Sequence, residues 1–229
     1  MVGYRLAEIA EKQLHLIIAG YWEAVDPDLI EYLEEELGDN PREDPVGVAF
    51  CLLKLGIPPE RATSLLNWKD FEAFCTRGLQ IHGMDALERL RFKQGSKRYE
   101  IDVLGVGGDV NLLIDCKMWS AKRRSSKVEY AAKGHLVKAM AFNEAMRSGT
   151  ISSLEKEEGR SCIVPVIVSW LETGLMRSKE GSAVVSLRNF PRFLESLVEL
   201  EEEFLRIEAD YKIRIKREVL SQRKPPQRS

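Results

Sequence analysis

Two apolar segments near the middle of the chain each carry one aspartate, and a glycine-rich turn separates them. The segments lie within YEIDVLGVGGDVNLLIDCKMW, residues 99–119, with Asp102 in the first and Asp115 in the second. Lys117 follows Asp115 by two residues, so the two side chains share one face if this segment is a strand. An acid and an amine on an apolar strand are costly to bury unless they are paired or bind a metal. The spacing therefore predicts a binding or catalytic site.

Two carboxylates and a lysine are suited to the hydrolysis of phosphodiester bonds. That reaction needs a nucleophilic water at neutral pH and positive charge near the phosphate, and Mg²⁺ supplies both through oxygen ligands. We expect Asp102 and Asp115 to bind Mg²⁺, or Mn²⁺ in its place, with the backbone carbonyl of Cys116 as a third ligand. Lys117 would orient or deprotonate the attacking water, or stabilise the charge that develops on the phosphate.

The hydrophobic pattern predicts six consecutive elements that would position these residues. They are a helix at 67–83, strands at 87–92, 99–106 and 110–117, a helix at 128–146 and a strand at 161–170. Asp70 would cap the first helix, and Glu72 lies beside its buried stripe. The last strand, SCIVPVIVSW, is almost continuously apolar, which is typical of a strand buried on both faces, although its Pro165 indicates a bulge or an edge.

This order of elements and acids resembles the PD-(D/E)xK nuclease superfamily, which includes type II restriction enzymes, archaeal Holliday-junction resolvases and Mrr-like restriction enzymes. The resemblance rests on DFEAF with Glu72, EIDV with Asp102, and LLIDCK with Asp115 and Lys117, and it covers roughly residues 67–197. It implies an α/β fold with a restriction-endonuclease-like αβββαβ core and a mixed central sheet. It also implies that Glu72 joins the metal shell, directly or through water.

Two other glutamates remain alternative ligands. Glu100 shares a strand face with Asp102, and Glu88 is a weaker rival to Glu72. The helix after the third strand lacks the Gln-x-x-x-Tyr signature of RecB-like branches, which leaves the subfamily and the substrate open.

Basic residues that follow the predicted site are candidate DNA contacts, because lysine and arginine neutralise the phosphate backbone. The set is Lys122, Arg123, Arg124, Lys127, His135 and Lys138. The alternative for the run KRRSSK at 122–127 is a solvated loop, and the alternative for His135 is a structural role.

The N-terminal region, residues 1–66, is predicted to be helical. Apolar residues recur there at three- and four-residue steps, and Asp26-Pro27 has the form of a helix start, with Gly38 as its end. The segment Glu23 to Asp44 is acidic, with Arg42 as its one basic residue, so it would repel phosphates and suit a protein partner. A helix-turn-helix at 46–66 is disfavoured because basic residues are few there.

The C-terminal part is predicted to hold a polar loop, a short strand and a long helix. The loop covers 150–160, the strand 183–187, and the helix begins near Pro191 and continues through Ile207. The predicted domains are therefore the helical region 1–66, the nuclease core 67–200, and a C-terminal helix with a basic tail at 201–229.

Composition favours a soluble globular protein of the cytoplasm. The chain has 229 residues and a formal net charge of -2, with no N-terminal apolar segment like a signal peptide and none long enough to span a membrane. Its four cysteines are widely spaced without a CxxC pair, which predicts reduced, buried thiols.

The predicted function is metal-dependent endonucleolytic cleavage of DNA by a water that Mg²⁺ activates. A homodimer is expected, because cutting both strands of a duplex or junction calls for two sites. The alternative is a non-catalytic DNA-binding or assembly subunit that keeps the nuclease fold. A third reading is a helical interaction protein whose partner contacts the acidic segment Glu23 to Asp44.

Overall fold

Helices occupy the N-terminal third of the described chain, and strands dominate the rest. The computed structural model describes residues 2–38, 40–119, 124–174, 176–197 and 203–221. Two units divide the chain, Met1–Phe74 and Cys75–Ser229. The helices that precede the sheet are α1 Val2–Ala19, α2 Pro27–Leu37, α3 Pro45–Lys54, α4 Pro59–Ala62 and α5 Trp68–Ile81.

The first unit is helical, as predicted, and its helix ends follow the sequence signals. Asp26 caps α2 by accepting a hydrogen bond from the Asp28 N–H at 3.0 Å, and Pro27 occupies the first helical position. Gly38 ends α2 with a φ of 95°, a conformation that glycine adopts without strain. Leucine, isoleucine, valine and alanine side chains of α1, α2 and α3 form a separate apolar core in this unit.

The helix α5 begins with a reciprocal pair of caps. The Asn67 side chain accepts from the Lys69 N–H at 2.8 Å, and the Asp70 carboxylate accepts from the Asn67 N–H at 3.0 Å. The cap is therefore Asn67, and the prediction that Asp70 caps the helix is wrong, because Asp70 returns the bond from within the first turn. The predicted apolar stripe is buried; it consists of Phe71, Phe74, Cys75 and Leu79.

One mixed sheet organises the second unit. Its strands are β1 Asp85–Gln94, β2 Lys97–Gly107, β3 Val110–Lys117, β4 Leu154–Ser169, β5 Ala183–Ser186 and β6 Ile207–Ile215, and α6 Arg124–Arg147 joins β3 to β4. The strand order is β1-β2-β3-β4-β5, and β6 pairs with β4. The first three strands are antiparallel, β3, β4 and β5 are parallel, and β6 is antiparallel to β4. The predicted αβββαβ order and the mixed central sheet are confirmed.

The helix α6 and residues 75–81 of α5, the part of that helix in the second unit, lie on opposite faces of the sheet. On one face, Ala139 and Phe142 of α6 are buried in the cluster that contains Leu113 of β3. On the other face, Leu79 of α5 lies against Gly105, where an added Cβ would come within 3.1 Å of the leucine. A glycine at this position therefore lets α5 approach the sheet closely.

The prediction of a polar loop at 150–160 is wrong, because β4 begins at Leu154. Its first half is charged and exposed, and it pairs with β6 rather than packing on a core. Glu157 and Arg214 form a cross-strand ion pair at 2.8 Å. Because both faces of this half of the strand are exposed, it carries no apolar signal, and the local pattern indicates a loop.

The prediction of a long C-terminal helix is also wrong. The helix α7 covers only Phe190–Glu195, and Ile207–Ile215 is the sixth strand, followed by the short helix α8 Arg217–Ser221. Alternate residues of β6 are buried, namely Ala209, Tyr211, Ile213 and Ile215. This period of two was present in the sequence, and it indicates a strand with one buried face.

Pro165 lies inside β4, at the place where one edge of the strand changes partner. The ladder with β6 ends at Ile163, and the ladder with β5 begins at Val166. Proline has no N–H to donate, and it is tolerated between the two ladders because no strand among the described residues pairs with that edge there. The irregularity that Pro165 indicated is therefore a short unpaired edge within an otherwise central strand.

Candidate active site

The two aspartates lie where the ladder between β2 and β3 stops. The last paired residues are Val103 and Ile114, and Asp102 and Asp115 are the next residues on the two strands. Asp102 Oδ2 accepts a hydrogen bond of 2.8 Å from the backbone N–H of Cys116. A side-chain carboxylate thus takes the place of a strand partner. Because the N–H and C=O of one strand residue face the same edge, the Cys116 carbonyl faces the same opening.

The ladder between β1 and β2 is interrupted at the same place. Glu88 pairs with Val103 and Leu90 pairs with Ile101, so Arg89 and Asp102 are left between them. Among the described residues, Arg89 is the one non-glycine residue with a positive φ, at 50°. This left-handed backbone costs about 1–2 kcal/mol for an L-residue. The strained residue therefore lies opposite Asp102, at the position where both ladders are interrupted.

The interruption also breaks the alternation of β2. Ile101 and Leu104 both belong to the core cluster under α6, although they are three residues apart. In a regular strand, residues an odd number apart face opposite sides. The alternation of side chains is therefore shifted by one residue between Ile101 and Leu104, and Asp102 lies in the irregular segment.

Replacing Arg89 by glycine is expected to give a protein about 1 kcal/mol more stable than replacing it by alanine, because glycine adopts positive φ without strain. Both variants lack the arginine side chain, so their difference reports the backbone alone. Denaturant titrations of the two variants give the comparison. Equal stabilities, or a more stable alanine variant, would show that the left-handed conformation is absent.

Asp115 is buried and ion-paired with two lysines. Its side chain is 5% exposed; Lys117 Nζ lies 2.6 Å from one carboxylate oxygen and Lys138 Nζ 3.3 Å from the other. The contact with Lys117 agrees with the shared face that the two-residue spacing predicted. Cys116 faces the other side of the sheet, where its Sγ lies 3.7 Å from Cys75 Sγ on α5. The structure therefore brings together an acid and two amines from β3 and α6.

The two aspartates have opposite pKa shifts. Burial, and then the neighbouring charge of Asp115, raises the pKa of Asp102 to about 6. Burial also opposes the charge of Asp115, but the positive groups of His135, Lys117 and Lys138 outweigh it and lower the pKa of that carboxyl. Burial also lowers the pKa of His135, and the charge of Asp115 opposes that effect.

Lys117 keeps its positive charge despite its partial burial. Burial works against the ammonium form, but the charge of Asp115 and the hydrogen bond to it outweigh burial and raise the pKa of Lys117. At neutral pH the pair is therefore an ammonium beside a carboxylate.

His135 is buried between α6 and β3. It is 1% exposed, and its Nε2 donates a hydrogen bond of 2.7 Å to the Leu113 carbonyl. Its Nδ1 has no hydrogen-bond partner among the described residues. This burial favours a structural role for His135 over the predicted contact with phosphate.

A shallow cleft of about 410 Å³ opens beside Asp115. It is lined from the end of β3 and from one face of α6, by Asp115, Lys117, Trp119, Ser126, Lys127, Tyr130, Ala131, Gly134, His135 and Lys138. Three lysines and one buried aspartate give the lining an excess of positive charge, although the whole chain has a net charge of -2. Lys127 and Lys138, both predicted from the sequence, lie in this cleft, and Tyr130 and Gly134 were missed. The three- and four-residue spacing from Lys127 would have indicated both.

The other predicted site residues are not among the described residues that line the cleft. Glu72 is buried on α5 and belongs to the unit Met1–Phe74, whereas the aspartates belong to the second unit. Glu100 is engaged in an exposed ion pair with Arg91, at 2.6 Å. Lys122 and Arg123 lie outside the described residues, and Arg124 begins α6. Within the described ranges, no group of three or more His, Cys, Asp and Glu side chains is arranged to hold a metal.

The sequence matches no family model. Over 133 residues it is 28% identical to a protein of Archaeoglobus fulgidus described as uncharacterized, and the match covers 58% of this chain and 92% of that protein. The structure is similar to the crystal structure of protein VC1899 from Vibrio cholerae, with a TM-score of 0.35 and 12% identity, covering 88% of this chain and 56% of that one. The chain thus spans little more than half of VC1899. In the parts of this chain that the structure describes, every helix is too short or too polar to cross a bilayer.

Proposed function

We propose that this chain is a metal-dependent endonuclease that hydrolyses phosphodiester bonds in DNA. The observation that carries the proposal is the pair Asp102 and Asp115 at the end of the ladder between β2 and β3, with Lys117 Nζ 2.6 Å from Asp115. Two acids held side by side in a partly buried site repel each other, and the raised pKa of Asp102 reflects that repulsion after burial. Such a pair is unfavourable unless a cation or a proton binds there.

The residues present fit a Mg²⁺ ion. Asp102 and Asp115 would provide carboxylate oxygens and Cys116 its backbone carbonyl, whose strand edge is open there. Mg²⁺ usually keeps several waters and binds through one or two carboxylates, so a cage of three or more side chains is not required. Mn²⁺ would substitute, and Glu72 stays a proposed additional ligand from the sequence motif.

The chemistry divides between the ion and the chain. A bound Mg²⁺ would lower the pKa of a coordinated water and offset charge on the phosphate. Lys117, half-exposed in the cleft, would hold the attacking water or stabilise the developing negative charge. Lys127 and Lys138 would bind neighbouring phosphates, with Lys138 also keeping the Asp115 carboxylate in place.

The alternative, a non-catalytic DNA-binding or assembly subunit, is supported by one feature. Both oxygens of Asp115 are engaged by lysines, at 2.6 and 3.3 Å, so the acid has charge partners without a metal. In this reading the cleft still binds phosphate through its lysines. A homodimer, and a protein partner on the acidic segment Glu23 to Asp44, also remain proposals, to be tested by light scattering and by affinity measurements.

The test is a cleavage assay with the full chain on linear, single-stranded, nicked and branched DNA, in Mg²⁺, Mn²⁺ or EDTA. We expect products with either metal and none in EDTA or with Asp115→Ala, prepared in parallel to exclude a contaminating nuclease. DNA binding without cleavage in either metal would establish the non-catalytic alternative. Absence of any nucleic-acid binding would favour the interaction-protein reading.

A further inference from the structure

The cleft beside Asp115 combines positive charge with exposed aromatic surface. Tyr130, which is 84% exposed, and Trp119, which is half-buried, both line this cleft. Tyr4 and Tyr21 are also exposed, but Tyr130 is the exposed tyrosine that lies among the lysines of this cleft. A ring that stands free beside lysines offers a flat face to a flat anionic partner.

The residues of α6 that line the cleft form a row along the helix axis. Lys127, Tyr130, Gly134 and Lys138 follow one another at three- and four-residue steps, so they form one row. At 1.5 Å per residue, the two lysines are separated by roughly 16 Å along the axis. Between them lie the ring and a glycine whose Cβ position has no atom within 4 Å, so the floor of the cleft is open there.

We propose that this row binds a single-stranded segment of DNA, with Tyr130 and Trp119 stacking on unpaired bases and the lysines binding the phosphates. Positive grooves with aromatic platforms are the usual means by which proteins bind single strands, because every base has a π-face. In a duplex those faces are stacked inside the helix, and Tyr130 would meet only sugar and phosphate. The volume of about 410 Å³ also lies at the low end for small-molecule sites, enough for single nucleotides.

This inference deepens the proposed function, because it names the substrate of the same site as an overhang, flap or other single strand. A single strand is cut by one site, so the chemistry would then not require the expected homodimer. Binding is nevertheless measurable without cleavage. An assay in EDTA therefore separates failure of this inference from failure of the nuclease proposal.

The test is fluorescence anisotropy in EDTA, with a labelled single-stranded oligonucleotide and its duplex of equal length. We expect the single strand to bind at least about 10-fold more tightly. Tyr130→Ala should weaken single-strand binding by about 10-fold, the loss typical of one stacked base, and Tyr130→Phe should retain it. Met140→Ala is the matched control, because Met140 is 61% exposed on the same helix and does not line the cleft.

Equal affinity for single strand and duplex would overturn the inference, as would a Tyr130→Ala variant that binds like wild type while Met140→Ala also stays unchanged. A stronger preference for single-stranded RNA of the same sequence would overturn the assignment to DNA. Circular dichroism of each variant should show an intact helix, because the Tyr130 side chain is 84% exposed and its removal leaves no cavity in the core.

Discussion

Replacing Lys117 by methionine is expected to lower the rate of metal-dependent DNA cleavage by about 10²- to 10⁴-fold, the range typical of a lost general acid or base. Methionine keeps most of the apolar stem and removes the ammonium that lies 2.6 Å from Asp115 and lines the cleft. The measurement is the single-turnover rate in Mg²⁺, at DNA concentrations that saturate the variant. Loss of rate with retained binding would assign Lys117 to the chemical step.

The chain contains a matched control for this substitution in Lys138. It reaches the other oxygen of the same carboxylate at 3.3 Å, from α6 rather than from β3. We expect Lys138→Met to cost about 10-fold, because it removes a phosphate contact and one of two charges on Asp115. Equal losses from both variants would mean that the lysines act only by charge. Unchanged cleavage in Lys117→Met would contradict its proposed role.

Asp102→Asn is expected to stabilise the metal-free protein by about 2 kcal/mol at pH 7 while it abolishes metal-dependent cleavage. The pKa of Asp102 is raised from 3.8 to about 6, so its ionised form is disfavoured by folding. At about 1.4 kcal/mol per pKa unit the penalty approaches 3 kcal/mol, and a weaker hydrogen bond from Cys116 to the amide oxygen offsets part of the gain. The same carboxylate would be needed to hold the metal.

The pH dependence gives this prediction its control. A raised pKa favours the folded state at low pH, where Asp102 is protonated in both states, and the advantage is lost as pH rises from about 4 through about 6. Denaturant titrations in EDTA should therefore show the variant more stable at pH 7 and nearly equal to wild type at pH 4. A destabilised variant, or an equal gain at both pH values, would contradict the raised pKa of Asp102 and its cause in burial and the charge of Asp115.

Local pattern was sufficient for the elements that hold the site. Apolar runs broken by a glycine turn predicted the hairpin, and β3 has the predicted bounds Val110–Lys117. The shared face of Asp115 and Lys117 follows from the period of a strand, so their contact could be foreseen from two residues of spacing. Which side chains share a strand face depends only on the two-residue period of the backbone, and the alternation of polar and apolar residue types in the sequence shows that period.

The errors came from segments whose state depends on distant partners. The charged start of β4 is a strand because β6 pairs with it, whereas the local pattern predicts that β6 continues an amphipathic helix. In both cases the helical or polar local signal was overridden by pairing across some fifty residues. The alternation of apolar and polar residues in β6 is present in the sequence. The helical spacing of the residues before it favoured a continued helix, so the switch from helix to strand was not predicted.

By itself the sequence determined the order of the elements from α5 to β4, the hairpin, and the presence of two acids and a lysine on neighbouring strands. Only the tertiary structure decided how these groups are arranged. The left-handed Arg89 lies opposite Asp102, Lys138 reaches Asp115 from α6, and Tyr130 lines the cleft. Such contacts arise when elements pack, because the direction of a side chain depends on the backbone of its neighbours as well as on its own. The two aspartates and Lys117 were therefore predictable, and the opposite pKa shifts of the aspartates were not.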